Sequence, residues 1–247
     1  MMRFAAIADI HGNGLALEAV LADIKRIGIE EIVNLGDHVG GPLEAARTAD
    51  MLIERDFPSV RGNHDRMVVA LSATELGQSD KAALARLTPK HLQWLAHLPA
   101  TLIYRNEVLL CHGTPRSDDT YWMERVEPGG AVRMATHDEI AVEAAGNDFP
   151  LILCGHTHLP RAVRLRDGRM IVNPGSVGLP AYDHDVPRPH FMETGSPDAS
   201  YAILEKSSDR WSVTFRRVAY DNAVMAAMAR AAGRQEWASA LATGWVR

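Results

Sequence analysis

Two cysteines in 247 residues, Cys111 and Cys154, are too few for a disulfide framework. Each ends an apolar run, where a small buried strand residue is the ordinary reading. No stretch approaches the roughly 18 consecutive apolar residues that a membrane span needs. Nor is there a basic segment followed by a long apolar one at the N-terminus, because Arg3 to Ala8 is cut short by Asp9. Positive charge is also in deficit: 26 Lys and Arg against 31 Asp and Glu leave a formal net charge of -5. Duplex nucleic acid and anionic membranes are held by dense Lys/Arg patches, so neither is expected as the main partner, and any phosphate recognition has to be local. No internal repeat occurs. A cytoplasmic protein is the expectation. What is present, 47% hydrophobic and 23% charged residues, is ordinary for a soluble enzyme with a sizeable core. Because α/β sandwiches often run to about 250 residues as one unit, residues 1–247 are read as one domain.

Short apolar runs alternate with helix-like segments, the pattern of strands that cross over through helices. Arg3 to Ala8 reads as the first strand. Leu17, Val20, Leu21, Ile24 and Ile27 follow at helical spacing, with Asn13 as N-cap and Gly28 as the stop. Ile32 to Leu35 and Pro58 to Arg61 are further strands, with a helix over Leu43 to Arg55 between them. Residues 79–97 read as a helix interrupted at Thr88-Pro89. Hairpins are expected over Thr101 to Cys111, over Arg161 to Val172 and over 201–218, with a helix at Asp138 to Ala145 and a strand at Leu151 to Cys154. A helical tail covers about 221–243, broken near Gly233. Its Met225/Met228 stripe is read as core packing, with a homo-oligomer contact as the sharper alternative. Pro115 to Gly130 and Pro180 to Gly195 read as long loops, and loops of that length without their own secondary structure are often functional. The second carries Tyr182, Asp183, His184, Asp185, Arg188 and His190 and is expected to form part of a substrate wall or a lid.

Five apolar runs each end in residues able to hold a metal: Asp9 and His11, Asp37, Asn63 with His64 and Asp65, His112, and His156 with His158. In open α/β sheets, ligands sit in the crevice beyond the carboxyl ends of strands, so these residues are expected to share one pocket. Both Asp9-x-His11 and His156-x-His158 point two side chains the same way if the strand pleat persists. Carboxylate, imidazole and amide donors without thiolate suit Mn²⁺, Fe²⁺/Fe³⁺ or Zn²⁺ better than Ca²⁺ or a structural zinc site.

Asp9-Ile10-His11, Gly36-Asp37, Gly62-Asn63-His64-Asp65, His112 and Gly155-His156-Thr157-His158, in this order, closely resemble the signature of the calcineurin-like metallophosphoesterases. The likeness spans residues 9–158 and continues into Asn173 to Gly178 and Ala199 to Tyr201. It looks most like the compact bacterial and archaeal phosphodiesterase branch. The resemblance implies a four-layer α/β/β/α sandwich of two mixed β-sheets and two divalent or mixed-valence metal ions, Mn, Fe, Zn or Mg. By the same resemblance Asp9, His11, Asp37 and His158 hold one metal. Asp37, Asn63, His112 and His156 hold the other, with Asp37 as the bridge. Two cations sharing a solvent ligand make hydroxide at neutral pH, the expected nucleophile on a small phosphate ester, with nucleotides among the candidate substrates.

His64 is implied as the group that protonates or stabilises the leaving oxygen. In the protein phosphatases of this superfamily, an acidic residue three positions after the bridging Asp orients that histidine. Here Gly40 stands in its place, so either Asp65 takes over or the orientation comes from elsewhere. His38 reads as a ring behind the site or facing solvent, with substrate contact as the alternative. Arg61 and Arg116 could hold phosphate or pair on the surface, and Tyr121 and Trp122 could stack a base, although packing is the commoner fate of such residues. A phosphodiesterase is the leading expectation and a dinucleoside polyphosphate hydrolase the runner-up. A protein Ser/Thr phosphatase is disfavoured by Gly40, and a non-catalytic scaffold by His64 and the complete ligand set.

Overall fold

The structure, a computed structural model, describes residues 2–247. Its first part alternates strand and helix and then runs helical: β1 (Met2–Ile7), α1 (Gly14–Arg26), β2 (Ile32–Asn34), α2 (Ala45–Arg55), α3 (Asn63–Ala70), α4 (Gln78–Leu84) and α5 (Pro89–His97). A strand-rich part follows, with β3 (Leu102–Tyr104), β4 (Val108–Leu110), β5 (Glu124–Val126), β6 (Val132–Met134), α6 (His137–Glu143) and β7 (Leu151–Leu153). Next come β8 (Arg161–Arg164), β9 (Met170–Asn173), β10 (Ala181–His184), β11 (His190–Glu193), β12 (Ala199–Ser207) and β13 (Arg210–Val218), then α7 (Asn222–Ala231) and α8 (Gln235–Thr243). Caps set the helix starts: the Asn13 side chain accepts from Ala16 N at 3.1 Å, and Thr88 Oγ1 accepts from His91 N with Pro89 at the first position of α5. Among the described residues, no helix is long and apolar enough to cross a membrane.

Two mixed sheets, ordered β13-β12-β1-β2 and β3-β4-β7-β9-β8, form the centre. Strand side chains alternate, so β1 sends Phe4 and Ala6 to one face, where they meet Leu110, Leu153 and Val172 of the opposite sheet. Ala5 and Ile7, on the other face of β1, pack on Leu17, Val20 and Ile24 of α1. The outer face of the second sheet, through Leu109, Ile152 and Ile171, packs on Ile140 of α6 and on Trp122. Helix, sheet, sheet and helix thus make four layers, as the resemblance implies. Burial of each Phe, Leu, Ile or Val side chain among these contributes roughly 1.5–3 kcal/mol.

Three expectations need correction. Pro58 to Arg61 is not a strand: a single parallel bridge joins Ser59 to Asn34. Pro58 has no N–H to give a ladder, and Arg61 N turns away to Pro99 O at 2.8 Å. The segments Pro115 to Gly130 and Pro180 to Gly195 are not plain loops, since β5 pairs with β6 and β10 pairs with β11. Strands of three or four residues with charged and half-exposed positions carry too little alternation to be read as strands. Met225 is buried with Leu43, Leu179 and Trp237, and Met228 packs at the edge of that cluster, so the methionine stripe is core packing.

Asp23 of α1 ties this helix to the first sheet. Its carboxylate accepts from Arg216 Nε at 2.8 Å, Arg216 Nη2 at 3.2 Å and Tyr201 Oη at 2.7 Å. The Arg216 guanidinium, helped by the Tyr201 hydroxyl and Arg26, holds its pKa well below the usual carboxylate range. A depressed carboxylate stabilises the fold above its unfolded pKa of about 3.9, and that contribution is lost as pH falls toward the folded value. Asp23→Asn is expected to lose about 1 kcal/mol at pH 7, after allowance for solvent screening of the ion pair. The gap from wild type should close below about pH 4 in urea melts. A gap independent of pH would assign the effect to packing.

Candidate metal centre

The candidate ligands sit where the chain leaves the parallel strands. Asp9 and His11 follow β1, Asp37 follows β2, His112 follows β4, and His156 and His158 follow β7. Asn63 opens α3 just after the Ser59 bridge. Among the described residues nine non-glycine positions have positive φ, and five of them are Asp9, His11, Asp37, His156 and His158, at 51–70°. Such conformations cost on the order of 1–3 kcal/mol each and persist only where surrounding bonds over-determine them. Those bonds are present. Ile10 N and His11 N both donate to Asp37 O, Ser176 Oγ donates to Asp9 O at 2.7 Å, and Asn173 Nδ2 donates to Gly155 O at 2.7 Å. The segment after β9 is therefore the brace of the site.

All seven expected ligands come together. His11 Nε2 lies 3.1 Å from His158 Nε2, His112 Nε2 lies 3.0 Å from Asn63 Oδ1, and Asp37 Oδ2 lies 3.2 Å from His112 Nε2 and 3.7 Å from His11 Nε2. Donor atoms of Asp9, His11 and His158 fall within 4.8 Å of one another, as do those of Asp37, His112 and His156. His11, His112 and His158 each turn Nδ1 to a backbone carbonyl, of Gly40, Leu35 and Leu179, at 2.6–2.7 Å. Donation of the Nδ1 proton there fixes the tautomer and leaves Nε2 free to bind a cation, so these residues fit a metal centre.

Burial is the largest single influence on the protonation of these side chains. It raises the Asp9 carboxyl to about 8, against the pull of His112 and with a push from Asp37. It acts the same way on Asp37, but the His112, His64 and His11 imidazoles overrule it and hold that carboxyl well below the ordinary range. It lowers His11 to about 4 and His156 to about 3. His112 runs the other way: burial opposes its charge, yet Asp37 and Asp9 raise it to about 10. Asp9 and His112 therefore hold protons at neutrality that a bound cation must displace. Metal affinity is expected to weaken as pH falls from 7.5 to 6, by about tenfold per unit for each proton displaced. Calorimetric titrations in buffers of different ionisation enthalpy count those protons, and an affinity flat with pH would contradict this electrostatic description.

His64 is held by a residue that motif reading did not pick out. Its Nδ1 meets Asp80 Oδ1 at 2.6 Å, from the first turn of α4, and its backbone N donates to Asp37 Oδ1 at 3.0 Å. Burial lowers the imidazole pKa, but Asp37, Asp80 and Asp65 outweigh it and the group rises to about 9. Asp65 is otherwise engaged, accepting from the backbone N of Asp37, His38 and Gly62 and bonding His38 Nδ1 at 2.6 Å. Gly40 also finds its reason, since a Cβ there would lie 2.7 Å from His64 Cβ. The ring occupies the space that a side chain at position 40 would need.

The other expectations divide. His38 is fully buried against Trp94 and Asp65, behind the ligands. Arg116 is spent on Ala145 O, Val142 O and Glu143, and Trp122 is core with Nε1 on Ile140 O, and neither lines the cavity. Arg61 lies outside the cavity lining. Tyr121 does line the cavity, with its ring 5.0 Å from His156. That cavity, about 770 Å³, contains His11, Asp37, Asn63, His64, His156 and His158 in its wall. The β10–β11 hairpin adds Tyr182, Asp183 and His184, as expected of residues 180–195, while the helical tail adds Arg234, Glu236 and Trp237, which the sequence reading missed. Their one local signal is a charged and aromatic cluster directly after the Gly233 break.

The profile of the calcineurin-like phosphoesterase superfamily domain matches residues 2–208. The chain belongs to that superfamily. It is 28% identical over 239 residues to an uncharacterized protein of Methanocaldococcus jannaschii, a match covering 88% of this chain and 87% of the relative. It is also similar to the crystal structure of a metallophosphoesterase from Sphaerobacter thermophilus, with a TM-score of 0.78 and 30% identity over 98% of this chain and all of that one. Within the superfamily frame, the tail helix α8 lies beyond the matched segment yet still reaches the cavity.

Proposed function

We propose that this chain is a metal-dependent phosphodiesterase holding two cations, one by Asp9, His11, Asp37 and His158 and the other by Asp37, Asn63, His112 and His156. The observation carrying this reading is the placement of Asp37 between two donor clusters in the wall of a cavity that His64 also lines. When bound, the cations supply Lewis acidity to phosphoryl oxygens and a solvent nucleophile near neutral pH. The side chains do the rest. His64, protonated beside Asp37 and Asp80, offers the nitrogen not held by Asp80 to the leaving oxygen as general acid. Tyr182 packs 4.6 Å from the His158 ring and Trp237 6.0 Å from the His11 ring, which keeps bulk water from that flank.

A cavity of about 770 Å³ has room for both substituents of a small diester, a nucleotide diester among them. Asp119 and Asp183, with no ion-pair partner among the described residues, also line it and repel polyanions, which disfavours dinucleoside polyphosphates. Cys111 and Cys154 are free buried thiols, in keeping with action in the reducing cytoplasm. The test is a hydrolysis panel of diesters, monoesters and dinucleoside polyphosphates after loading with Mn²⁺, Fe²⁺, Zn²⁺ or Mg²⁺. Diesters are expected to turn over fastest, and chelation to abolish turnover. Faster cleavage of dinucleoside polyphosphates would transfer the assignment to them, and inertness with every metal would end the proposal.

A further inference from the structure

The geometry points to Arg234, the N-cap of the tail helix α8, as the residue that binds the substrate's phosphoryl group and sets affinity for it. This rests on the phosphoesterase reading above. Histidines apart, Arg125 and Arg234 are the only cationic side chains among the described residues lining the cavity. Arg125 is already committed: its Nη1 donates to the carbonyls of Tyr121, Trp122 and Glu124, and its Nε lies 3.7 Å from Glu139. Arg234 is committed only in part. Its Nε donates to Glu236 and its Nη2 to Ser79 Oγ at 3.1 Å, while Nη1 is buried with no hydrogen-bond partner among the described residues. Its guanidinium carbon also lies 5.7 Å from the Trp237 ring centroid.

The guanidinium is thus fixed on three sides, and both N–H donors of Nη1 remain unused. A buried donor without an acceptor costs free energy, and a planar guanidinium matches the tetrahedral oxygens of a phosphoryl group. Two contacts place it near the chemistry. Ser79 adjoins Asp80, which holds His64, and Trp237 lies against His11. Among the cavity's carboxylates, an anchored guanidinium with unused donors gives a singly charged diester a specific contact.

The test uses full-length, metal-loaded protein as wild type, Arg234→Met and Arg234→Lys, with bis(p-nitrophenyl) phosphate as substrate and inorganic phosphate as ligand. Arg234→Met is expected to raise KM and the dissociation constant for phosphate by about tenfold or more, with kcat within about threefold, because the lost bonds are charge-assisted and made in ground and transition states alike. Arg234→Lys keeps the charge without the planar fork and should weaken phosphate by at least about threefold. A purely structural role would instead move kcat through His64 and leave KM and phosphate binding unchanged, which overturns the inference. If Arg234→Met does not fold, Arg234→Lys decides: phosphate affinity equal to wild type overturns the proposal. Calorimetric phosphate titration needs no turnover, so a wild type inert toward every ester would sink the phosphoesterase reading and leave the Arg234 result readable.

Discussion

Removing the Asp37 carboxylate is expected to empty both metal positions, whereas Asp9→Ala is expected to weaken chiefly one. Asp37 Oδ2 lies 3.2 Å from His112 Nε2 and 3.7 Å from His11 Nε2, so it reaches both donor groups. Asp37 donor atoms group both with His11 and His64 and with His112 and His156, whereas among the described residues Asp9 groups only with His11 and His158. The Asp37 carboxylate is also pinned, since a Cβ on Gly62 would stand only 2.1 Å from Oδ1. Loss of both cations should cost on the order of 10³ in kcat, the equivalent of several kcal/mol of charge stabilisation at the phosphoryl group. Elemental analysis of Asp37→Ala, with Asp37→Asn to keep the bond from His64 N, separates the cases. Two ions per chain in both variants would remove the bridge from the mechanism.

His64→Ala is expected to keep its metals and lose on the order of 10² or more in kcat with a poor leaving group, and much less with p-nitrophenolate. Asp80→Asn should follow the same pattern at smaller size, because it leaves the imidazole in place but removes the carboxylate that fixes its proton and rotamer. Asp65→Asn should behave differently, since that carboxylate holds the backbone of Asp37, His38 and Gly62 and its loss should lower the melting temperature and metal content together. A loss in Asp80→Asn that does not depend on the leaving group would mean that Asp80 serves the fold of α4 and not the acid.

The candidate ligands were legible as a group because strand ends in an α/β fold converge, and each carries its donor next to a turn. The four-layer arrangement followed from the resemblance, and the alternation of Phe4 and Ala6 against Ala5 and Ile7 in β1 supplies its physical cause. What stayed hidden depends on long-range approach. Asp80 lies 16 residues from His64, in a helix with no motif of its own. Arg234, Glu236 and Trp237 reach the cavity only because α8 packs on Leu179, Ala181 and Leu43. Sequence offered Asp65 as the nearest acid for His64, and the fold gave Asp65 to the backbone. The short pairs β5–β6 and β10–β11 were hidden for the opposite reason, since their pairing is local but their residues are too polar and too few to show a period.

The most direct measurement is the initial rate of bis(p-nitrophenyl) phosphate hydrolysis as metal-free protein is titrated with Mn²⁺. A dinuclear centre built on Asp37 predicts a rate that climbs to a plateau at two equivalents per chain, and Asp37→Ala should show no such climb. A plateau at one equivalent, or turnover that persists in chelator, would contradict the dinuclear account.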